Sequence, residues 1–155
     1  MNIVFPDIEQ CLSSVDEIIK TSDSRDACLQ KTAELLADKT AHYDWVGFYT
    51  VDESGKYLTL GPYVGDPTDH KKIAFGDGIC GQVAVSQTSR IIQDVSLEDN
   101  YLSCSINVKS EVVFPVKKDG VFVAELDIDS HALSPFTDKD TKLLEAICKK
   151  LEVLF

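Results

Sequence analysis

Glu111-Val-Val-Phe-Pro-Val116 and Val121-Phe-Val-Ala-Glu-Leu-Asp-Ile-Asp129, joined across Lys117-Lys-Asp-Gly120, decide the fold of this chain. Both arms are rich in β-branched and aromatic residues, which suit a pleated surface. Asp119-Gly120 is the pair that tight hairpin turns favour, because their central positions need positive φ. The stretch therefore predicts an antiparallel hairpin. A second hairpin is expected upstream. Tyr43-Asp-Trp-Val-Gly-Phe-Tyr-Thr-Val51 reads as a buried strand, Asp52-Glu-Ser-Gly55 as its turn, and Lys56-Tyr-Leu-Thr-Leu60 as the return strand.

Between the hairpins the pattern is irregular. A loop is expected through Gly61, Pro62, Gly65 and Pro67, followed by short strands at residues 70–74 and 90–92. Gly76-Asp-Gly-Ile-Cys-Gly81 leads into a short apolar helix at residues 82–86, and a polar loop covers residues 94–110. Long loops between short elements make residues 61–110 the expected ligand-facing part.

Helices flank the strands. Ile8, Leu12, Val15 and Ile19 fall on one helical face, with Pro6 near the start, where its missing N–H costs nothing. Thr21-Ser-Asp-Ser24 is a break rich in capping residues, and Leu29, Ala33 and Leu36 form the stripe of a second helix. At the far end Thr137 and Asp140 have capping-box spacing, with Leu143, Leu144, Ile147, Leu151 and Leu154 as the buried stripe. The order predicts one α+β domain over residues 1–155, a central, mainly antiparallel sheet with terminal helices packed on one face.

Composition narrows the function. The 155 residues are 44 % hydrophobic, which fits a folded core and not a disordered chain. A net charge of −11 repels phosphate backbones and anionic lipid, so neither nucleic acid nor a membrane surface is an expected partner. Met1-Asn-Ile-Val-Phe-Pro6 has neither the basic nor the long apolar region of a secretory signal, and a cytoplasmic location is expected. The five cysteines, Cys11, Cys28, Cys80, Cys104 and Cys148, are odd in number and include no CxxC pair. That excludes a stapled secreted scaffold and zinc-type pairing. Cys11, Cys28 and Cys148 sit on helical faces, where packing accounts for them.

The other two cysteines stand in different settings. Three glycines surround Cys80, which implies tight turns and close approach of another group, and a helix start beside it would favour a thiolate. Cys104 lies in the polar Asn100-Tyr-Leu-Ser-Cys-Ser-Ile-Asn107. Asp127 and Asp129 are two apart on a strand and share a face, with Glu111 able to join them across the hairpin. On spacing alone, a solvated acidic rim is the expectation, because inward carboxylates are costly without a cation or donors. Trp45 and Tyr49 share a face of the first strand, as core or as an aromatic wall for an amino-bearing ligand. His42 and His131 read as ordinary residues, and His70 as an exposed loop residue.

Together Tyr43-Asp-Trp-Val-Gly-Phe-Tyr49, Gly61-Pro62, Gly76-Asp-Gly-Ile-Cys-Gly81, Ser110-Glu-Val-Val-Phe-Pro-Val116, Leu126-Asp-Ile-Asp-Ser130 and Ser134-Pro-Phe-Thr-Asp138 resemble the GAF-domain free methionine-(R)-sulfoxide reductases, over nearly the whole chain. The resemblance implies a GAF fold enclosing free methionine-R-sulfoxide and reducing it to methionine. It implies attack on the sulfoxide by one cysteine, a sulfenic acid, a disulfide with a second cysteine, and recycling by thioredoxin or a similar dithiol. Cys104 is assigned as nucleophile and Cys80 as resolving partner, with the reverse order open. Glu111, Asp127 and Asp129 match the family's substrate-binding carboxylates, and Trp45 and Tyr49 its aromatic pocket. No cofactor or metal is implied, and a homodimer is expected. Two positions depart from the family: His70 stands where a third cysteine is usual, and Ser105 follows Cys104 in place of Asp. His70 is thus a possible auxiliary residue, acting on a thiolate or joining the two cysteines around a metal. The alternative to an enzyme is a GAF domain that only senses a small amino-acid-like ligand or redox state.

Overall fold

A computed structural model describes residues 5–102 and 105–155. The chain runs α1 (Ile8–Thr21), α2 (Arg25–Lys39), β1 (Trp45–Val51), β2 (Tyr57–Val64), β3 (Lys72–Ala74), α3 (Gly78–Ser86), β4 (Arg90–Ile92), β5 (Ser110–Lys118), β6 (Val121–Ser130) and α4 (Asp138–Leu151), with short 3-10 turns at Val95–Leu97 and Glu152–Leu154. One six-stranded sheet has the order β3-β2-β1-β6-β5-β4, and every pairing is antiparallel. The hairpin of β5 and β6 is present, with Asp119 at φ 52° and Gly120 at φ 79°, as the turn chemistry demands.

Strand alternation divides the sheet into two faces. Val46, Phe48, Val112, Phe114, Ala124, Leu126 and Ile128 point to one side, where they pack with Val15 of α1, Leu29, Ala33 and Leu36 of α2, and Leu143, Leu144 and Ile147 of α4. Cys11, Cys28 and Cys148 are buried in this layer, so their expected packing role is met. On the other side α3 lays Ile79, Cys80, Val83 and Ala84 over Trp45, Tyr49, Val113 and Phe122. The long helices and the chemistry therefore occupy opposite faces of one sheet.

Helix ends follow the sequence signals. Asp7 accepts from the backbone of Gln10 to start α1, and Ser24 accepts from Ala27 to start α2. At α4 the Thr137 backbone donates to Asp140 Oδ2 at 2.8 Å, and Thr137 caps in return. Asp140 does more than the spacing predicted. Its Oδ1 accepts the Tyr43 hydroxyl at 2.6 Å and pairs with His42 Nε2 at 2.8 Å, tying α4 to the entry of β1. His42 is thereby a buried structural residue.

Burial pushes the Asp140 carboxyl up, yet the hydrogen bonds from His42, Tyr43 and the Thr137 backbone outweigh it and hold the group below its ordinary value. A folded pKa below the unfolded one gives stability that is present above the unfolded value, about 3.9, and is lost as pH falls through the lowered folded value. Asp140→Ala is expected to remove about 2–4 kcal/mol, from the lost cap and two stranded buried partners. Urea unfolding at pH 7 measures this, and the wild-type advantage should shrink in acid.

Among the boundaries that differ from the sequence reading, two bear on the site. The return strand continues through Gly61 and Pro62 to Val64 instead of ending at Leu60. Proline cannot donate to a ladder, and the strand accommodates it at an irregularity between Gly47 and Tyr49 of β1, where the register shifts. The short helix starts at Gly78, so Cys80 lies in its first turn and not ahead of it.

Candidate active site

The face of β6 that carries the chemistry is set by period-two geometry. Glu125, Asp127 and Asp129 alternate with Ala124, Leu126 and Ile128, so burying the latter under the long helices turns all three acids toward α3. Across β1 they oppose Tyr49, Gly47 and Trp45, and across β5 they oppose Pro115, Val113 and Glu111. Gly47 leaves room beside Asp127, which the Trp45 ring covers: a Cβ on Gly47 would lie 2.4 Å from that ring. The indole is fixed by stacking on Tyr63, with ring centres 5.3 Å apart, and by donating to the Asp66 carbonyl at 3.1 Å.

The glycine-rich turn delivers Cys80 from above. Gly76 N–H donates to the Gly81 carbonyl and Gly81 N–H to the Asp77 carbonyl, which folds the turn back on itself. A Cβ on Gly81 would stand 2.6 Å from the Ala74 carbonyl oxygen, so close approach of backbone is the reason for this glycine. Asn100 fastens the turn to the following loop, accepting from Gly78 N–H at 2.8 Å and donating to the Gly76 carbonyl at 2.7 Å. No pattern in the sequence marks Asn100, because its partners lie 22 and 24 residues away and leave no period.

Tyr49, His70, Cys80, Leu102, Glu111 and Asp127 line one cavity of about 10 Å³. The donor atoms of Cys80, Glu111 and Asp127 all lie within 4.8 Å of one another. Asp129 is buried beside Glu111, and Trp45, which opposes Asp129 across β1, stands next to the cavity without lining it. The expectation of a solvated acidic rim is thus overturned: Glu111, Asp127 and Asp129 are at most 5 % exposed. The same packing makes Tyr49 both core and cavity wall, and Trp45 core. His70 is half-buried against the cavity and not a solvent-exposed loop residue, because the Tyr49 hydroxyl donates to its carbonyl at 2.8 Å and draws that loop inward. Cys104, assigned as the nucleophile, lies outside the described residues.

Burial and mutual repulsion set the proton inventory. Burial pushes the Asp127 carboxyl up, against the opposing pull of Glu111, Cys80 and His70. Burial and then the Asp127 charge push Asp129 well up. Two acids so close in a dry site do not both ionise, which keeps a proton in the cluster. Cys80 also departs from the sequence expectation. Burial, followed by the charges of Asp127, Glu125 and Glu111, raises the thiol well above its ordinary value, overriding the helix start that would have favoured a thiolate.

Glu125 is the member of this group that sequence reasoning missed. It is fully buried beside the Cys80 thiol, and burial holds its pKa well up against the opposing pull of that thiol. The available signal was the two-residue period 125, 127, 129. A raised folded pKa means that the cost of burying this acid grows as pH rises from the unfolded value toward the folded one. Glu125→Gln should therefore raise the melting temperature, little near pH 4 and more toward neutrality. A melting series across that range showing no pH-dependent gain would contradict the assignment of a protonated Glu125.

Among the described residues, no helix is long and apolar enough to cross a membrane. The family model of the GAF domain matches residues 24–154. The free methionine-R-sulfoxide reductase of Escherichia coli is 32 % identical over 126 residues, covering 81 % of this chain and 74 % of that protein. The crystal structure of free methionine-R-sulfoxide reductase from Neisseria meningitidis, in complex with its substrate, superimposes with a TM-score of 0.90 at 29 % identity, covering 99 % of this chain and 95 % of that one. The reduced form of fRMsr from Staphylococcus aureus gives 0.91 at 30 % identity, covering 99 % and 98 %. The match in sequence and in fold over most of the chain leads to one assignment: the chain belongs to the GAF-domain family of free methionine-R-sulfoxide reductases, a family of oxidoreductases.

Proposed function

We propose that this protein reduces free methionine-R-sulfoxide to methionine through a cysteine sulfenic acid and a disulfide, with thioredoxin or a similar dithiol restoring the thiols. The observation that carries the reading is the cavity on the α3 face, where a thiol and two carboxyls converge within 4.8 Å beside an aromatic wall. Buried acids need a cation, and the substrate ammonium is one. Glu111, Asp127 and Asp129 bind it, while Trp45 and Tyr49 hold the apolar side chain. A cavity of about 10 Å³ admits only about one water, so Leu102 and other lining side chains move aside when substrate enters.

A sulfoxide is a poor electrophile until its oxygen is protonated, and the proton retained by the acidic cluster serves that purpose. Sulfur of the Cys104 thiol attacks the sulfoxide sulfur, the S–O bond of the substrate breaks, and oxygen passes to cysteine. The products are methionine and Cys104 sulfenic acid. The Cys80 thiol then attacks that sulfur, forming a disulfide and releasing water before further oxidation occurs. A dithiol reduces the disulfide by exchange and is itself oxidised. Reversal of the two cysteine roles uses the same balance. With His70 in place of a third cysteine, recycling runs through the Cys80–Cys104 bond, and His70 is an auxiliary group beside Asp127. Thiols that must be reduced between turnovers suit a reducing compartment such as the cytoplasm.

The test is turnover of each sulfoxide epimer with a dithiol. Methionine is expected from the R epimer and not from the S. Saturable binding without product would instead favour the ligand-sensing alternative, which the reductase relatives do not support.

A further inference from the structure

We propose that Cys80, Glu111 and Asp127 form a site for a thiophilic divalent cation, Zn²⁺, which enters the cavity through the thiol sulfur and one oxygen of each carboxyl and shuts out the larger ligand. The site itself is independent of the reductase reading; only the consequence, inhibition of turnover, rests on it.

Three observations converge. Among the described residues, these are the one set of three potential ligand side chains whose donor atoms lie so close together, within 4.8 Å. Around tetrahedral zinc, with bonds of roughly 2.0–2.3 Å, such donors stand about 3.4–3.6 Å apart, so the side chains close by little more than about an ångström. The free space of about 10 Å³ has the size of a single small ligand and not of an amino acid. Finally, Asp127, which lines the cavity, is buried with its Oδ1 lacking a hydrogen-bond partner among the described residues. Polar atoms left so in a dry site are what a cation would satisfy.

The donor set selects among metals. One sulfur and two carboxylate oxygens suit zinc in three protein bonds with a fourth position left open. Magnesium and calcium require six or more oxygens, which the cavity does not offer. The other described thiols provide a contrast. Cys11, Cys28 and Cys148 are buried in the opposite, helical layer, each among apolar side chains, and none joins such a set. An ion bound here occupies the position between Asp127 and Glu111 that the ammonium of a substrate would take. It also ties up Cys80.

Equilibrium dialysis of the reduced, metal-free full chain against Zn²⁺, paired with Co²⁺ titration followed by thiolate-to-cobalt charge-transfer absorption, tests the site without substrate. One ion per chain is expected, with the absorption band lost in Cys80→Ser and retained in Cys148→Ser and Cys104→Ser. Glu111→Gln and Asp127→Asn keep the thiol and should each weaken binding at least about tenfold. A band that survives Cys80→Ser, one that disappears only in Cys104→Ser, or wild-type affinity in both carboxyl variants would overturn the proposal. Zn²⁺ should also raise the apparent KM for the sulfoxide in step with its occupancy. Stoichiometric binding by a chain that shows no turnover even when reduced and metal-free would refute the reductase reading and leave the metal site standing.

Discussion

Cys104→Ser is expected to lose turnover of free methionine-R-sulfoxide by at least about a thousandfold, whereas Cys80→Ser should still release one methionine per chain when no reductant is present. The difference follows from what each sulfur contributes. A serine hydroxyl cannot take oxygen from a sulfoxide, so removing the nucleophile removes the chemical step and not merely its acceleration. Removing the resolving thiol spares that step and leaves a sulfenic acid that no intramolecular partner consumes. Cys80 is suited to the second role. It is 5 % exposed, and burial together with three carboxyl groups keeps it a thiol until an electrophilic sulfur arrives. Rapid-quench measurement of methionine, combined with trapping of the sulfenic acid by a dimedone-type reagent, distinguishes the variants. A stoichiometric burst from Cys104→Ser, with none from Cys80→Ser, would exchange the two roles.

Asp127→Asn should carry the second largest effect, a fall in kcat/KM of roughly 10²–10⁴ fold, the range that a positioned general acid supplies. Asp127 is the middle member of the acid row, faces Gly47 and Val113 on its two neighbouring strands, and lines the cavity together with Cys80 and Glu111. Asparagine keeps the shape and abolishes the transferable proton. The pH dependence has a definite sign. With its carboxyl raised by burial, Asp127 keeps its proton above the usual carboxylate range, and activity should decline as pH rises through that raised value. Loss of this alkaline limb in Asp127→Asn would identify the group. Asp129→Asn, one pleat farther along, should also lower kcat/KM, because burial and the Asp127 charge push its carboxyl well up and make it a sharer of the retained proton. An unchanged kcat/KM in Asp127→Asn would remove the acid from the mechanism.

How much of this was legible in the chain depends on the kind of signal. The stripe Leu29, Ala33, Leu36 and the Thr137–Asp140 cap were readable because a helix repeats its environment every three to four residues and its termini need the same donors everywhere. Asp119-Gly120 was readable because few residues accept two positive φ values in succession. Pro62 was misleading: its missing N–H argues for a loop, and only the register shift in β1 reconciles it with a strand. The acids show the limit most directly. Period two establishes that Asp127 and Asp129 share a face, but the same pattern serves a wet rim or a dry cavity.

The sequence by itself determined the element order, the hairpins, the helical faces and the family to which the chain belongs, since each rests on local pattern or on motifs quoted in order. Only the tertiary structure decided which side of the sheet α3 covers. That placement buries Glu111, Glu125, Asp127 and Asp129 with Cys80, brings His70 to the wall, and turns a thiol expected to ionise into one that holds its proton. The reason is physical. Proton affinity depends on how much water and how many charges surround a group in space, and neither quantity is a property of neighbours along the chain.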